Sequence, residues 1–543
     1  MFNICLIQPP IEDFYGTDIR NIPLGLLSIG AMLKKKHSVQ LLDLRHSKSH
    51  KKSIPKDLSA VASYYRPEDA SPFGLYKHYS RFGLRNEDIA TAIPAACDVF
   101  IISALFSTYI YEALEVINII RRKKPEAIIV AGGSGAMFHT AEFFDSSCDF
   151  IIQGEGELAA EVLLNELQKP QADFATIPNL IWRIDGKIQK NPVQIIENLD
   201  DLPAPDYSIP GTPQYHLSGK RHAMLMASRG CVYQCRFCCI HHVFGNKYRL
   251  RSVENILTEI GDKINAGFRS FDFEDDHFGG SKKWLNQLLD GIIEEFTQYD
   301  LSFQAMNGIT AGNLDETILK KMKQAGFSGI NLSLVTPDRS RQNALNRPFN
   351  TPHFKTIVDQ ANKLGLQVTA YLIIGLPGDM PEDNLKSILF LARLPVLIGP
   401  SLYYLTPGTA DFDTFQKISE KPLSPHCYRS SYFPCERPDY SRTAAMTLFR
   451  ICRIINFIKA IEKQRCTVSE YKIENDKISF FQRQDGKESQ IALGFALLEI
   501  LATTGKIFGT TRKQDNQYPL IEEQTDPALV QQFLSAYPIE TNR

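Results

Sequence analysis

Short apolar runs alternate with helical patterns over the first third of the chain. The runs span residues 2–8, 38–44, 99–105, 127–133 and 149–157. Each is followed by apolar side chains at helical spacing, as in YIYEALEVINIIRRKK after the third run. Strands and helices that alternate in this way predict a parallel sheet with helices on both faces. We therefore expect a doubly wound, Rossmann-like α/β domain over residues 1–190.

The segments that follow these predicted strands contain small, polar and glycine-rich residues, among them SALFST, GGSG and GEGE. A doubly wound sheet binds its ligands beyond the carboxyl ends of its strands. Any one glycine pair is explained as well by an ordinary turn, but three such ends in succession favour a large flat ligand lying against the backbone. Residues 46–95 interrupt the pattern with a Tyr-rich insertion, which we interpret as a lid or packing element on the sheet.

A second series of alternating strands and helices occupies residues 217–420, joined to the first by a linker over 191–216. Six strands are predicted, at 222–228, 270–276, 302–308, 329–335, 367–375 and 400–406. Beyond residue 420 the pattern changes to a long amphipathic helix near 441–463, a hairpin through TVSEYKI and KISFFQRQ, and a second helix over 489–505. These elements predict a small α+β cap domain over 421–543.

Composition and charge exclude several broad classes of protein. The chain has 543 residues, 43% hydrophobic and 22% charged, as globular proteins do. Lys plus Arg (60) nearly equals Asp plus Glu (61), so no strong global field favours nucleic acid or an anionic membrane. No window reaches the roughly 20 apolar residues of a membrane span, and the N-terminal run is too short for a secretory signal. We therefore expect a cytoplasmic protein, in which cysteines rarely form structural disulfides.

Four of the eleven cysteines lie in one stretch of fifteen residues, SRGCVYQCRFCCIHH. Cys231, Cys235 and Cys238 have the spacing CxxxCxxC and directly follow a predicted strand. Thiolates are soft ligands that suit iron–sulfur clusters or zinc. A tetrahedral zinc site would need His241 or His242, which lie only three and four residues further on. Three thiolates on one loop instead favour a cubane cluster whose fourth iron stays open to a substrate.

This loop resembles the signature of the radical S-adenosylmethionine (SAM) enzymes, with the aromatic Phe237 just before the last cysteine. The resemblance implies a partial (β/α)6 barrel and a 4Fe-4S cluster on Cys231, Cys235 and Cys238. It also implies that SAM binds the open iron and is cleaved reductively to a 5'-deoxyadenosyl radical, with electrons from a donor such as flavodoxin or ferredoxin. Cys239 departs from the motif, and we interpret it as a packing residue.

The resemblance also suggests SAM contacts at the ends of the barrel strands. The acidic turn after the second strand could hold the amino group or ribose hydroxyls of SAM, although a solvated acidic turn explains any one of its residues equally well. GLPG (375–378) resembles the family's adenine-supporting turn. Many relatives carry Glu-Ser after the fourth strand, where this chain has Val335-Thr336. The predicted SAM-binding residues are Phe237, Glu274, Asp275, Asp276, Ser333, Gly375 and Gly378.

The first domain together with the cysteine loop resembles the cobalamin-dependent radical SAM proteins over about residues 1–410. The features that carry this resemblance are QPP, PLGLLSIGAML, SALFST, GG, GEGE and the connector NLDDLPAPDYS. The cobalamin contacts that it implies are Pro9, Ser103, Leu105, Ser107, Gly132, Gly133, Gly154, Glu155 and Gly156. The first domain, residues 1–190, lacks the Asp-x-His-x-x-Gly of classical cobalamin methyltransferases, so we expect cobalamin without a histidine ligand from that motif.

Related subfamilies fit the cysteines less well. Methylthiotransferases carry three further N-terminal cysteines, whose spacing Cys5, Cys97 and Cys148 do not match. SPASM-type proteins need a cysteine-rich tail, and the C-terminal cysteines here are sparse.

Three functions follow from the resemblance. The first is a methyltransferase that acts on an unactivated carbon through a 5'-deoxyadenosyl radical and methylcobalamin. The second keeps the cofactors but closes or contracts a ring without methyl transfer, and the third is a cobalamin carrier without catalysis. A small molecule, a lipid or a peptide could be the substrate.

Overall fold

The computed structural model describes residues 1–16, 21–347, 349–418, 422–464, 470–481, 486–511 and 516–539. The strands of its first 190 residues are β1 (Asn3–Gln8), β2 (Ile11–Asp13), β3 (Ser38–Asp43), β4 (Ser49–Lys52), β5 (Tyr79–Phe82), β6 (Val99–Ser103), β7 (Ile128–Gly132), β8 (Phe150–Ile152), β9 (Leu180–Ile184) and β10 (Lys187–Lys190). The helices of this region are α1 (Leu24–Leu33), α2 (Asn86–Ala92), α3 (Ile110–Lys123), α4 (Ser134–Phe138), α5 (Thr140–Asp145) and α6 (Glu157–Glu166).

Seven of these strands form one sheet in the order β10-β9-β8-β7-β6-β1-β3. The five strands from β3 to β8 in this order are parallel, and β9 and β10 add an antiparallel edge. Apolar clusters cover both faces of the sheet, which confirms the predicted doubly wound domain. The strands β3 and β6 pair with β1 on its two opposite sides, so the strand order reverses direction at β1. A ligand crevice is therefore expected between the carboxyl ends of β1 and β6.

The central part of the chain contains the strands β11 (His216–Leu217), β12 (Lys220–Leu225), β13 (Ser228–Arg229), β14 (Arg249–Leu250), β15 (Ser270–Phe273), β16 (Ser302–Gln304), β17 (Gly329–Val335), β18 (Gln367–Ile374) and β19 (Leu397–Leu402). Its helices are α7 (Ile240–Phe244), α8 (Val253–Asn265), α9 (Lys282–Phe296), α10 (Glu316–Ala325), α11 (Arg339–Ala344), α12 (Thr351–Lys363), α13 (Pro381–Ala392) and α14 (Ala410–Ile418).

Six parallel strands in chain order form the predicted partial barrel: β12, β15, β16, β17, β18 and β19. Parallel bridges from Phe303 to Phe327 and from Ile309 to Leu332 join the two halves between β16 and β17. The last strand lies earlier than expected, at 397–402 instead of 400–406. Pro400 therefore falls inside the strand, which the ladder tolerates because β19 pairs only with β18 and forms an edge.

The C-terminal region packs a four-stranded antiparallel sheet against long helices. Its elements are α15 (Arg442–Gln464), β20 (Tyr471–Glu474), β21 (Lys477–Phe480), α16 (Gly486–Thr504), β22 (Phe508–Thr510), β23 (Gln517–Glu522) and α17 (Pro527–Ala536). The predicted small α+β region is thus present, with β20 and β21 forming the hairpin. The parts of the predicted hairpin at 467–469 and 482–484 lie outside the described residues. The domain boundaries themselves stay predictions.

The 46–95 insertion packs against the C-terminal region as well as against the first domain. The Tyr64 hydroxyl lies 2.7 Å from that of Thr443, and Arg450 donates to the Phe73 carbonyl at 3.3 Å. Apolar residues of the insertion share one core with the barrel and α15. The insertion is therefore a packing element, as predicted, but much of it packs away from the sheet. No helix among the described residues is long and apolar enough to span a membrane.

Candidate active site

The loop that carries the three motif cysteines lies between β13 and α7. Cys231 and Cys235 are buried and Cys238 is half-buried. The segment after α11 closes over this loop: the Leu345 carbonyl accepts a hydrogen bond from the Arg236 amide at 3.3 Å. Arg347 brings its Nη1 to 3.9 Å from the Cys235 sulfur. The loop is thus sheltered and has a cation beside one thiol.

The donor set of this loop fits an iron–sulfur cluster. Burial raises the pKa of Cys231, and it raises that of Cys238 to about 12. Metal binding favours the deprotonated thiolate, so the iron of a cluster would supply the charge that ionises these thiols. Within the described residues, no group of three or more His, Cys, Asp or Glu side chains could hold a single metal ion. A cubane cluster binds each thiolate at a different iron, so its three ligands need not meet at one metal ion.

Two of the three predicted acids after β15 hold the stem of the cysteine loop. Asp275 is buried and accepts hydrogen bonds from the Ala227 amide at 3.2 Å and from the Ser228 hydroxyl. Asp276 accepts one from the Gly230 amide at 3.1 Å, immediately before the first cysteine. Burial raises the pKa of Asp275 to about 7 and that of Asp276 to about 6. Both side chains therefore position the loop.

Glu274 is the acid of this turn that is best placed to meet SAM. Its side chain is half-exposed, and Asn307 donates to Oε2 at 2.9 Å. A carboxylate at the carboxyl end of a barrel strand can accept hydrogen bonds from an ammonium group or from ribose hydroxyls. This contact stays a prediction.

The fourth barrel strand, β17, ends in a strained backbone conformation at Val335-Thr336, where the resemblance leads one to expect Glu-Ser. Val335 has φ +66°, an outlier for a β-branched residue, and the pairing with β18 shifts register between Ser333 and Val335. Such strain is concentrated at functional sites. Ser333 lies directly before this distortion and is half-buried, so its hydroxyl stays a candidate for a SAM contact.

The other predicted SAM residues lie at the same end of the barrel. Gly375 has φ +83° and donates its amide to Asn384 Oδ1 at 2.8 Å, and a Cβ at this position would collide with Phe433. Gly378 has φ +82° and lies beside the guanidinium of Arg341. Both glycines are therefore required by backbone conformation. Phe237 is half-buried against the barrel core.

The carboxyl edge of the first sheet exposes apolar side chains where a corrin is predicted. Leu105 and Phe106, directly after β6, are 57% and 54% exposed. Beside them Gly133 has φ +107°, and a Cβ there would approach the Ala104 carbonyl oxygen to 2.6 Å. An exposed apolar edge with close backbone approach fits a large flat ligand. The residues present therefore fit cobalamin.

The predicted cobalamin contacts differ in accessibility. Two are buried, Pro9 and Glu155. The others are exposed or half-buried at the sheet edge: Ser103, Leu105, Ser107, Gly132, Gly133, Gly154 and Gly156. Corrin contacts by any of the nine stay predictions.

The GEGE loop after β8 is joined to the cysteine loop by buried ion pairs. Glu155 accepts from Arg229 Nη1 at 2.7 Å and from Arg249 Nη1 at 2.8 Å, and Glu157 accepts from Arg229 Nη2 at 2.5 Å. Arg229 is the last residue of β13, two positions before Cys231. The loop predicted to lie near the corrin and the loop predicted to hold the cluster are thus fastened to each other.

The buried charges of this junction are paired with one another. Burial opposes the charge of Glu157, but Arg229 and the Ser28 hydroxyl outweigh it, so the pKa of Glu157 lies below its usual range. The charges of both glutamates raise the pKa of Arg229 despite its burial. Glu157 and Arg229 therefore stay charged at neutral pH, as buried ions must when they are paired.

Sequence reasoning missed four residues of this region: Arg229, Arg249, His277 and Arg347. Arg229 and Arg249 lie on either side of the cysteine loop in the sequence, so their positions could have suggested a role in holding it. His277 directly follows the acidic turn, and its position was visible but had no assigned role. Arg347 comes from the segment after α11, and only folding brings it to the cysteines.

Comparison with known protein families identifies both cofactor domains. Residues 78–164 match the B12 binding domain model, and residues 225–391 match the model of the Radical SAM superfamily. The second match begins at the last residue of β12 and spans the cysteine loop and the barrel strands β15, β16, β17 and β18. The first spans β6, β7 and β8 with the GG and GEGE segments.

Two curated relatives are methyltransferases by name. The chain is 25% identical over 405 residues to the uncharacterized methyltransferase PH0819 of Pyrococcus horikoshii, covering 73% of this chain and 79% of the relative. It is also 25% identical over 391 residues to cytidylyl-2-hydroxyethylphosphonate methyltransferase of Streptomyces wedmorensis, covering 65% of this chain and 69% of that protein.

A solved structure shares the whole-chain architecture. The radical S-adenosylmethionine methyltransferase TsrM from Kitasatospora setae, with tryptophan and a SAM analogue bound, superposes with a TM-score of 0.61 at 16% identity. The match covers 80% of this chain and 83% of that one, and it shows the fold. With a B12-binding domain followed by a radical SAM domain that carries CxxxCxxC, this chain is a cobalamin-dependent radical SAM enzyme that uses a 4Fe-4S cluster, SAM and cobalamin.

Proposed function

We propose that this enzyme transfers a methyl group to an unactivated carbon of a small-molecule substrate. When bound, the cluster and SAM would supply a 5'-deoxyadenosyl radical and methylcobalamin would supply the methyl group, while the protein positions the groups. A carbon without an acidic proton offers no nucleophile, which is why ordinary methyl transfer from SAM would fail there. The methyltransferase names of both curated relatives support the reaction class.

The observation that carries the proposal is the buried junction between the GEGE loop and the cysteine loop. Arg229 contacts Glu155 and Glu157 on one side and lies two residues from Cys231 on the other. A corrin at the sheet edge and a cluster on the loop would therefore face one shared cavity. A carrier without catalysis has no need to hold a second cofactor loop against its corrin site.

The chain's own residues would divide the work of binding. Cys231, Cys235 and Cys238 would hold the cluster, and Arg347 would offset part of its negative charge. Glu274 would bind the amino group or the ribose of SAM. Leu105 and the glycines of GGSG and GEGE would lie against the corrin. The first domain has no Asp-x-His-x-x-Gly, so no histidine from such a motif there would be a cobalt ligand.

The first experiment is anaerobic reconstitution with iron, sulfide and hydroxocobalamin. We expect about four irons and one cobalt per chain. A variant with Cys231, Cys235 and Cys238 all changed to Ala should lose the iron and keep the cobalamin. The matched control changes Cys5, Cys148 and Cys452, which are buried in the cores, and should keep both. Iron without cobalt would overturn the cobalamin assignment, and zinc in place of iron would overturn the whole proposal.

Methyl transfer is then separated from ring closure or contraction by the products of SAM. Reduced enzyme with SAM carrying a labelled methyl group is incubated with extracts of small molecules. We expect S-adenosylhomocysteine, 5'-deoxyadenosine and a labelled product. Formation of 5'-deoxyadenosine with no S-adenosylhomocysteine and no label in any product would contradict methyl transfer and favour the ring reactions.

We also propose that an acidic one-electron donor such as flavodoxin or ferredoxin docks beside the cysteine loop. An open cavity of about 580 Å³ lies there, lined on one side by Val232, Tyr233 and Gln234 and on the other by residues 342–347. Val232 lies between two motif cysteines and is 58% exposed. The exposed Arg339 begins α11, whose later residues Gln342 and Asn343 line the cavity, and its charge would attract an acidic donor; Arg236 is also exposed but pairs with Asp411 at 3.1 Å. Such complementarity with an acidic donor speeds the encounter of the two proteins.

This docking face is tested by the charge reversal Arg339→Glu. We expect SAM cleavage driven by reduced flavodoxin to slow by about tenfold at low salt, because electrostatic steering is lost. Cleavage driven by dithionite should not change, which controls for damage to the site. An equal loss with both reductants, or a loss with neither, would contradict the docking face.

The compartment and substrate class follow from other features. The ten described cysteines are all free thiols, which supports the proposal that the enzyme works in the reducing cytoplasm.

TsrM was solved with tryptophan, and the Streptomyces relative is named for a cytidylyl phosphonate. Both names support a small-molecule substrate here.

A further inference from the structure

His277 is a buried histidine that lies directly after the acidic turn of β15. It is 6% exposed, and neither ring nitrogen has a hydrogen-bond partner among the described residues. In every tautomer at least one of these nitrogens carries a hydrogen. A buried N–H without an acceptor is costly, so a group bound at this position would be stabilised by accepting that hydrogen.

The surroundings of His277 point to the cysteine loop. Its ring centroid lies 5.3 Å from that of Tyr233, which stands between Cys231 and Cys235. On another side it lies 5.5 Å from the ring of Tyr248, whose hydroxyl accepts the Gly280 amide. The imidazole therefore lies between the base of the acidic turn and the cysteine loop.

Arg347 shares this neighbourhood. Its guanidinium lies over the Tyr233 ring at 5.2 Å, and its Nη1 approaches the Cys235 sulfur to 3.9 Å. The charge of Arg347 also acts on His277. One cation and one unsatisfied imidazole thus converge on the place where three thiolates and the sulfides of a cluster would accumulate negative charge.

We propose that one ring nitrogen of His277 donates a hydrogen bond to a sulfur of the cluster and thereby raises its reduction potential. A hydrogen bond to a cluster sulfur favours the reduced, more negative state. His277 is then a positioning and tuning residue that makes the cluster easier to reduce. The inference rests on the proposal that Cys231, Cys235 and Cys238 hold the cluster.

The test measures the cluster and needs no substrate. His277→Phe keeps an aromatic ring of similar size and removes the donor, whereas His277→Gln keeps an N–H. Reconstituted proteins are titrated with dithionite without SAM, and the reduced cluster is followed by electron paramagnetic resonance. We expect His277→Phe to shift the reduction equilibrium about tenfold against the reduced state, about 59 mV for one electron. His277→Gln should recover part of this shift.

The matched control is His222→Phe. His222 is also buried and also has an unpartnered Nε2, but it lies on β12 beside Ser270, at the opposite end of the β15 strand. Its replacement should leave the cluster potential unchanged. If His222→Phe moves the potential as much as His277→Phe does, the shift reports general loosening and the proposal fails.

The remaining outcomes are also decisive. An unchanged potential with full iron in His277→Phe overturns the proposal, and weaker SAM binding in that case would assign the nitrogen to SAM. If His277→Phe does not fold, His277→Met, which also lacks a donor, takes its place. A potential lower than that of wild type by more than the change in His222→Phe supports the proposal, and an unchanged potential overturns it. Retention of iron by the triple-cysteine variant would instead refute the cluster assignment, which is a separate failure.

Discussion

The molecule has two acidic turns beside its predicted cofactor sites, and the negative charge of their carboxylates is compensated in different ways. In the GEGE loop, Glu155 and Glu157 form buried ion pairs with two arginines, and the pKa of Glu157 lies below its usual range. In the turn after β15, Asp275 and Asp276 accept only backbone amides and a hydroxyl, and burial raises the pKa of both. Both turns hold the stem of the cysteine loop, one by ion pairs and the other by neutral hydrogen bonds.

This difference has a physical consequence. A buried ion pair is sensitive to substitution, because removing either partner leaves an unpaired buried charge. A carboxyl group that is bonded to neutral donors can instead take up a proton and stay buried. The first turn should therefore be intolerant of substitution and insensitive to pH near neutrality. The second should tolerate an isosteric amide and respond to pH.

The largest expected effect comes from breaking the ion pairs. Arg229→Met leaves Glu157 buried without its cation, and we expect the free energy of unfolding to fall by about 3–5 kcal/mol. Urea denaturation at pH 7 measures this change. The control is Lys247→Met, which removes a pair with Glu197 in which both side chains are about two-thirds exposed; it should change the free energy of unfolding little, because solvent screens an exposed pair. Equal costs for the two variants would contradict a structural junction.

A smaller, pH-dependent effect is expected at the second turn. The folded pKa of Asp275, about 7, lies above the usual value of 3.8, so the folded state holds a proton that the unfolded state releases. The stability that this proton provides is complete below about pH 4 and is lost as the pH rises through 7. Asp275→Asn cannot ionise, so its stability relative to wild type should rise between pH 4 and pH 8, on the order of 2 kcal/mol.

The same denaturation curves at both pH values test this prediction. Asp300→Asn is the control, because the Asp300 side chain is 89% exposed in its pair with Lys220. Its difference from wild type should be the same at both pH values. A parallel shift for Asp275→Asn would mean that this carboxyl is charged in the folded state throughout the range.

The smallest expected effect concerns Glu274, the half-exposed member of the second turn. Glu274→Gln should weaken SAM binding about tenfold, about 1.4 kcal/mol, because one charge-assisted hydrogen bond is lost. Unfolding should change little. Anaerobic calorimetry with the reconstituted enzyme measures the affinity, with Glu254→Gln on the exposed face of α8 as the control. Unchanged affinity would remove Glu274 from the SAM site and leave Ser333 as the next candidate.

Much of this architecture was readable in the linear pattern. The periodicities of apolar residues predicted the doubly wound sheet, the six barrel strands and the C-terminal helices, since burial of one face dictates spacing along the chain. The errors occurred where pattern is weak. The last barrel strand begins three residues early because an edge strand can contain Pro400. The 46–95 insertion is a packing element as predicted, but its residues 64–76 contact α15 rather than the sheet, because these aromatic residues meet that helix only after folding.

The sequence by itself determined that a thiolate-bound metal site lies on one short loop, because the three thiols of CxxxCxxC are a matter of local spacing. Its resemblance to known families then implied SAM and cobalamin. Only the tertiary structure decided what the charged residues do. Glu155 pairs with arginines that lie 74 and 94 positions away, Asp275 fastens a loop 47 positions before it, and Arg347 reaches a cysteine 112 positions away. The role of each of these charged residues depends on its nearest partner, and only the fold brings that partner close.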